Sequence, residues 1–161
     1  MTEPVKASKV VIVEDDVDLA EIYKTRLQIL GYDCYVAHEG IEALAVIEKI
    51  RPNLVLLDIM LPKLSGDLIL KTIRSVSWGK DIRVMVISNL NEADAPAGIR
   101  EQGIEGYAVK ANMVDGEIDL LVNNILNPDG KNQELKQEPP KQPENDRDPT
   151  VVPAPPDENS L

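Results

Sequence analysis

The residues of this chain that could do chemistry together follow short aliphatic runs. Five runs of strand length occur, at residues 10–13, 34–37, 54–57, 84–87 and 107–109. Four of these runs are followed directly by polar side chains. The polar residues are Glu14, Asp15 and Asp16 after the first run, Asp58 after the third, Ser88 after the fourth and Lys110 after the fifth. Carboxylates that converge either raise a pKa or recruit a cation, and oxygen ligands without sulfur or imidazole suit Mg²⁺. An added amine and hydroxyl complete the parts that phosphoryl transfer needs.

The elements that must position these side chains follow from the periodicity. Strand-sized aliphatic runs alternate with segments of helical period, which predicts β-α-β units and a parallel sheet covered on both faces. Apolar stripes predict helices within residues 19–30, 39–50, 68–73 and 118–125. A fourth helix in chain order is predicted near residues 91–102, although Pro96 and Gly98 give it the lowest helical propensity.

We therefore predict an α/β fold, a doubly wound five-stranded parallel sheet with five helices. Ligands in such folds bind outside the carboxyl ends of the strands, where the strand order reverses. If the first and third strands are neighbours, Glu14, Asp15 and Asp58 converge at that edge.

Four segments occur together in one order: Val11-Ile12-Val13-Glu14-Asp15-Asp16; Leu56-Leu57-Asp58-Ile59-Met60-Leu61-Pro62 with Gly66; Val86-Ile87-Ser88; and Gly106-Tyr107-Ala108-Val109-Lys110. Over about residues 8–127, this pattern resembles the receiver domain of two-component response regulators. The resemblance implies the strand order 2-1-3-4-5.

The same resemblance implies roles for individual residues. Asp58 would be the phosphoacceptor, and Lys110 and Ser88 would hold the phosphoryl group. The Mg²⁺ ligands would be Glu14, Asp15, Asp58 and the backbone carbonyl of Met60. Ser88 and Tyr107 would form the switch that responds to phosphorylation. Asp16 is expected to face solvent or to cap a helix.

Two positions depart from the family pattern. Ala111 follows the lysine in place of a frequent proline, which lowers the expectation of a cis peptide bond there. Asn89 stands after Ser88, where a small residue is common, and it borders the expected entrance of the pocket.

Composition restricts the compartment and the partners. The 161 residues carry a formal charge of -11, which would repel a nucleic-acid backbone. No apolar stretch approaches the length of about 18 residues that crosses a bilayer, and no export signal is visible. A single cysteine, Cys34, fits a reducing interior. We predict a cytoplasmic chain without direct nucleic-acid or membrane binding.

Proline divides the chain. Eight of the twelve prolines lie within residues 128–161, among many charged residues and few aliphatic ones. We predict an N-terminal extension at residues 1–7, a receiver domain at residues 8–127, and a Pro-rich, acidic, disordered tail at residues 128–161.

The expected function is that of a stand-alone phosphoacceptor response regulator, in two-component signalling or a phosphorelay, with no cofactor other than Mg²⁺. It would accept a phosphoryl group from a histidine kinase or a histidine phosphotransfer protein and then change its contacts with a downstream protein. A phosphorylation-dependent homodimer is left open. Beyond its own phosphorylation and dephosphorylation, the chain is not expected to be an enzyme.

Three other functions are compatible with parts of the pattern. A Mg²⁺-dependent phosphatase that forms an aspartyl phosphate generally needs an acid two residues after the nucleophile, where this chain has Met60. A flavodoxin-type cofactor binder needs a phosphate loop where Glu14, Asp15 and Asp16 stand. A constitutive adaptor would keep the fold without phosphorylation.

Overall fold

A five-stranded parallel sheet organises the protein, and its computed structural model describes residues 5–130. The strands are β1 (Lys9–Val13), β2 (Asp33–Ala37), β3 (Leu54–Leu57), β4 (Arg83–Ser88) and β5 (Gly106–Val109). Their order is β2-β1-β3-β4-β5, and every neighbouring pair is parallel. The predicted fold class and strand order are therefore confirmed. Residues 1–4 and 131–161, which hold most of the predicted extension and tail, lie outside the described residues.

Four α-helices cover the two faces of the sheet. They are α1 (Val17–Ile29), α2 (Gly40–Ile50), α3 (Gly66–Ser75) and α4 (Glu117–Leu126). Alternate residues of the strands point to opposite faces, so that Val11 and Val13 pack with α2 and α3, while Val10 and Ile12 pack with α1 and α4. This alternation buries both faces of the three central strands and explains why β1, β3 and β4 contain continuous aliphatic runs.

The fourth helix predicted near residues 91–102 is wrong. The β4–β5 connection, residues 89–105, contains two single turns of 3-10 helix in its place, at Glu92–Asp94 and Arg100–Gln102. Pro96 lacks an amide hydrogen and clashes with a preceding helical turn. Gly98 adopts a left-handed φ of 79°, which an α-helix does not allow. Four α-helices, not five, are present in the described residues.

Strand register sets the geometry of the carboxyl edge. Val13 pairs with Leu57, so the residues that follow them, Glu14 and Asp58, leave the sheet side by side. The amide of Asp58 donates to the carbonyl of Val13 at 3.1 Å, which continues the ladder by one more bond. Ser88 pairs with Val109, and Lys110 comes directly after that pair. The backbone thus delivers all four functional groups to one edge.

Candidate functional site

The carboxyl edge of the sheet holds a cleft of about 580 Å³, which we call the acidic cleft. Residues from four loops line it, including Glu14, Asp15, Asp58, Met60 and Lys110. Asp58 and Glu14 are buried, with 4% and 2% of their surface exposed, whereas Asp15 is exposed. Two carboxylates are therefore withdrawn from solvent, and a third lies at the mouth.

Lys110 joins the two buried carboxylates. Its Nζ lies 2.6 Å from Asp58 Oδ2 and 2.6 Å from Glu14 Oε2. Buried charges are tolerated only when they are paired and hydrogen-bonded. The remaining oxygens also have donors, since the amide of Met60 donates to Asp58 Oδ1 at 3.0 Å and the amide of Asp16 donates to Glu14 Oε1 at 3.1 Å. The nucleophile predicted from sequence is thus oriented by both a cation and a backbone amide.

The protonation equilibria reflect this burial. Burial raises the pKa of Glu14 above its ordinary value, and the hydrogen bond from Lys110 only partly opposes that effect. For Lys110, burial lowers the pKa, but the hydrogen bonds to Asp58 and Glu14 outweigh it and leave the pKa raised. The ammonium form of Lys110 is therefore favoured, as an electrostatic contact to a phosphoryl group requires.

The three carboxylates also fit a hard cation. Glu14, Asp15 and Asp58 can each offer one oxygen, and these oxygens lie within 4.8 Å of one another. Mg²⁺ prefers oxygen ligands and is bound through few carboxylates together with waters and phosphate oxygens. The donor set therefore fits the predicted metal at the predicted residues.

Ser88 and Tyr107 meet at one backbone residue, Leu90. Ser88 is fully buried, and its hydroxyl accepts a hydrogen bond from the amide of Leu90 at 3.3 Å. The hydroxyl of Tyr107 donates to the carbonyl of Leu90 at 2.8 Å. Burial raises the pKa of Tyr107, so its hydroxyl stays protonated as a donor. The two predicted switch residues are thus linked through the first residues of the β4–β5 connection.

Local sequence features hold the loops around the cleft. Asp16 caps α1, because its side chain accepts a hydrogen bond from the amide of Leu19 at 3.0 Å. Gly66 begins α3 against the backbone of the nucleophile, and a Cβ at this position would lie 2.2 Å from the Asp58 carbonyl oxygen. The glycine of the D-x-x-L-P-x-x-x-G run is therefore needed for close backbone approach.

Sequence reasoning missed two contributors to the site. His38 is half-buried, and its Nδ1 lies 2.9 Å from the Glu14 carbonyl oxygen. Its position directly after β2, beside β1, was the available signal. Leu90 was also missed, because it acts through its backbone amide and carbonyl, and residue type carries no signal of that role.

The departures from the family pattern lie at the mouth of the cleft. Asn89 and Ala111 both line it and are both exposed. Among the described residues no peptide bond is cis, so the bond between Lys110 and Ala111 is trans. The chain is compatible with trans geometry there because the lysine is followed by alanine and not by proline.

Comparison with known proteins identifies the class of this site. The response regulator receiver domain family matches residues 10–119. The chain belongs to that family, and Glu14, Asp15 and Asp58 form the acidic pocket of its receiver domain.

Curated relatives support the assignment and extend beyond this chain. The probable transcriptional regulator ycf27 of Cyanophora paradoxa is 36% identical over 123 residues, which are 76% of this chain and 49% of that protein. The DNA-binding response regulator MtrA of Mycolicibacterium paratuberculosis is 35% identical over 102 residues, 63% of this chain and 44% of that protein. The chain spans about half the length of the curated relatives it matches.

A solved structure agrees with the fold. The BeF3-activated N-terminal receiver domain of Klebsiella pneumoniae RstA has a TM-score of 0.65 and is 27% identical, covering 74% of this chain and 98% of that one. No helix in the described part of the chain is both long and apolar enough to pass through a bilayer.

Proposed function

We propose that this receiver domain accepts a phosphoryl group on Asp58 in the presence of Mg²⁺ and thereby changes its contacts with other proteins. One observation carries the proposal: Lys110 contacts both buried carboxylates at 2.6 Å, in a cleft where three carboxylate oxygens can meet one cation. A structural ion pair alone would not need the third carboxylate, Asp15, which is exposed at the mouth.

The proposed reaction is an in-line phosphoryl transfer. A carboxylate oxygen of Asp58 forms a bond to phosphorus while the bond from phosphorus to the donor breaks, and the leaving group takes up a proton. Lys110 would then contact the transferred group, and the Ser88 hydroxyl would turn from the Leu90 amide to donate to a phosphoryl oxygen. When bound, Mg²⁺ neutralises charge on the phosphoryl oxygens, with Glu14, Asp15, Asp58 and the Met60 carbonyl as its proposed protein ligands.

The contacts at Leu90 favour a route for the signal. A movement of the Ser88 hydroxyl toward the phosphoryl group removes the hydrogen bond that it accepts from Leu90. Because Tyr107 is bonded to the carbonyl of the same residue, its ring would respond to that movement. The β4–β5 connection, which has only single helical turns, is the segment that we propose to change.

Exposed apolar side chains lie at the mouth of the cleft. Val17 directly follows the Asp16 cap and Met60 lines the cleft, and both are more than half exposed. We propose that this surface receives the phosphodonor, a histidine kinase or a histidine phosphotransfer protein. The phosphorylated form would then bind a downstream protein or a second copy of the chain.

The names of the relatives bear on one expectation from sequence. MtrA is named as DNA-binding, which conflicts with the expectation that this chain does not bind nucleic acid directly. We keep that expectation as a proposal for these 161 residues, because their charge of -11 opposes phosphate binding. We also keep the proposals that the chain is cytoplasmic and that it does not turn over a separate substrate.

The test is incubation of the chain with Mg²⁺ and acetyl phosphate, followed by intact-mass measurement. We expect the mass of one phosphoryl group to be added, with none on Asp58→Asn and much less when Mg²⁺ is chelated. Asp129→Asn is the matched control, because Asp129 is exposed and remote in sequence from the cleft. Equal uptake by Asp58→Asn would overturn the assignment.

A further inference from the structure

We propose that residues Pro153–Glu158 of this chain dock into a second groove, at the opposite edge of the sheet from Asp58. This amino-edge groove has a volume of about 410 Å³ and is lined by residues that include Arg51, Asn53, Trp78, Asp81, Arg83 and Leu126. Asn53 and Arg83 lie where β3 and β4 begin, so the groove is at the amino ends of the strands. The proposal does not rest on phosphorylation.

The groove presents an aromatic ring flanked by guanidinium groups. The Arg51 guanidinium lies 3.9 Å from the centroid of the Trp78 ring, and the indole is half-buried. Arg51 is fixed in position, since its Nε donates to the Glu48 carbonyl at 2.7 Å and its backbone adopts a left-handed φ of 51° at the end of α2. A rigid aromatic and cationic surface of this kind costs little ordering entropy when it binds a ligand.

Its charge favours an acidic ligand. Arg83 donates to the carbonyl of Ile125, and within residues 5–130 neither Arg51 nor Arg83 forms an ion pair. Asp81 is the acidic side chain of the lining, which leaves two cationic groups against one anionic group. A peptide that places carboxylates near Arg51 and Arg83 would gain charge-assisted hydrogen bonds.

The segment with the matching charge is residues 151–158, because the other P-x-x-P spacing, at residues 140–143, encloses a lysine. Residues 151–158 read Val-Val-Pro-Ala-Pro-Pro-Asp-Glu, with prolines at 153, 155 and 156 and no basic residue. Pro-rich segments with the P-x-x-P spacing favour polyproline II, the conformation that docks against aromatic-lined grooves. Asp157 and Glu158 follow the prolines directly and supply the carboxylates.

Chain connectivity favours binding within one molecule. Leu126, the last residue of α4, itself lines the groove, and residues 127–152 connect it to Pro153. A chain reaches up to about 3.3 Å per residue, so this link is long enough to return. Tethering gives an effective concentration on the order of millimolar, at which a contact of millimolar intrinsic affinity is about half occupied.

Trp78 is the single tryptophan of the chain and therefore reports on the groove. We would measure acrylamide quenching of its fluorescence in the full, unphosphorylated chain. Replacing Pro153, Pro155 and Pro156 with alanine should raise the quenching constant by about twofold, since a half-occupied tethered contact would be lost. Replacing Pro139, Pro140 and Pro143 with alanine is the matched control and should leave the constant unchanged.

A second variant distinguishes docking from an indirect effect. Arg83→Gln should raise the quenching constant as the three-proline variant does, and combining the two should add little more, because both remove one contact. Amide chemical shifts of Asn53 and Asp81 should move in the same variants. Unchanged quenching and unchanged shifts in the three-proline variant would overturn the proposal, as would an equal change in the matched control.

Dilution separates this chain's own segment from other occupants. The quenching constant of the wild-type chain should not change with protein concentration if the segment binds within its own molecule. Protection that disappears on dilution would assign the contact to a second copy and would contradict the proposal. A peptide of residues 150–161 should restore protection to the three-proline variant, and failure to do so at several millimolar would count against docking.

Discussion

The acidic cleft and the β4–β5 connection lie next to each other but are held in different ways. In the cleft, Glu14, Asp58 and Lys110 are buried at strand ends and paired with one another at 2.6 Å. In the connection, single helical turns are held by a few contacts, such as the bond from Tyr107 to the Leu90 carbonyl. The sheet makes the site rigid, and the weakly structured neighbour can respond to it.

The β4–β5 connection is held at both of its ends. Arg74 of α3 donates to the carbonyls of Gln102 and Gly103 at the far end of the connection, at 2.8 and 2.7 Å. Leu90 is bonded at the near end by Ser88 and Tyr107. Arg74 holds one end of this segment, and the switch residues Ser88 and Tyr107 hold the other. The backbone between the two ends can therefore change conformation without unfolding the domain.

The largest expected effect concerns the buried cation. Lys110→Ala leaves two buried carboxylates unpaired, and we expect a loss of about 3–5 kcal/mol in the free energy of unfolding without Mg²⁺. Mg²⁺ should restore part of that loss, because a ligand that binds only the folded state stabilises it. Urea unfolding with and without Mg²⁺ measures both values.

Lys63→Ala is the matched control for that experiment. Lys63 pairs with Glu39 at 2.6 Å as well, but its side chain is 59% exposed. Exposed pairs contribute less than about 1 kcal/mol. Equal losses in the two variants would contradict the view that the cleft depends on its buried cation.

A smaller loss is expected where α3 approaches the nucleophile. Gly66→Ala places a Cβ 2.2 Å from the Asp58 carbonyl oxygen. The resulting backbone shift should cost about 1–3 kcal/mol, as overpacking does, and slow the phosphorylation of Asp58. Gly130→Ala, where nothing lies within 4 Å, should leave phosphorylation unchanged despite its left-handed φ. A Gly66→Ala protein with normal stability and rate would show that the close approach is not needed.

Loss of the Tyr107 hydroxyl should loosen the connection without affecting the chemistry of the cleft. Tyr107→Phe removes the bond to the Leu90 carbonyl, and the expected loss of stability is only about 1 kcal/mol. Hydrogen exchange of amides in residues 89–105 should nevertheless become faster, while phosphoryl uptake is kept. Tyr35→Phe removes a bond of equal length, 2.8 Å, to exposed Asp33 and is the control. Equal rates of hydrogen exchange in the two variants would show that Tyr107 is not part of the switch.

The pH dependence of metal binding is the smallest effect. Because burial raises the pKa of Glu14, this carboxyl takes up a proton at a higher pH than an ordinary glutamate does. Only the carboxylate form is a good ligand, so Mg²⁺ affinity should begin to fall, as pH decreases, above the ordinary glutamate range. Titrations across pH should show this fall, and Glu14→Gln should remove it. An identical profile in Glu14→Gln would assign the proton to another group.

The sequence predicted the cleft better than it predicted the connection, for a physical reason. Asp58 and Lys110 follow aliphatic runs, and a parallel sheet brings the ends of such runs to one edge whatever the loops do. The connection has no such constraint. There Pro96 and Gly98 oppose helix formation, and no sheet contact compensates for their low helical propensity.

Contacts made through the backbone were also beyond reach of the sequence. Leu90 joins Ser88 to Tyr107 through its amide and carbonyl, which every residue except proline possesses. His38 is a different case, because its place directly after β2 and beside β1 follows from the predicted strand order.

The central claim is that Asp58 receives the phosphoryl group. The most direct measurement is to treat the chain with acetyl phosphate and Mg²⁺, reduce the acyl phosphate with borohydride, and map the modified residue by peptide mass spectrometry. We predict homoserine at position 58 and at no other aspartate. Homoserine at position 15 or 16 would contradict this claim. The absence of homoserine at position 58 despite phosphoryl uptake would contradict it as well.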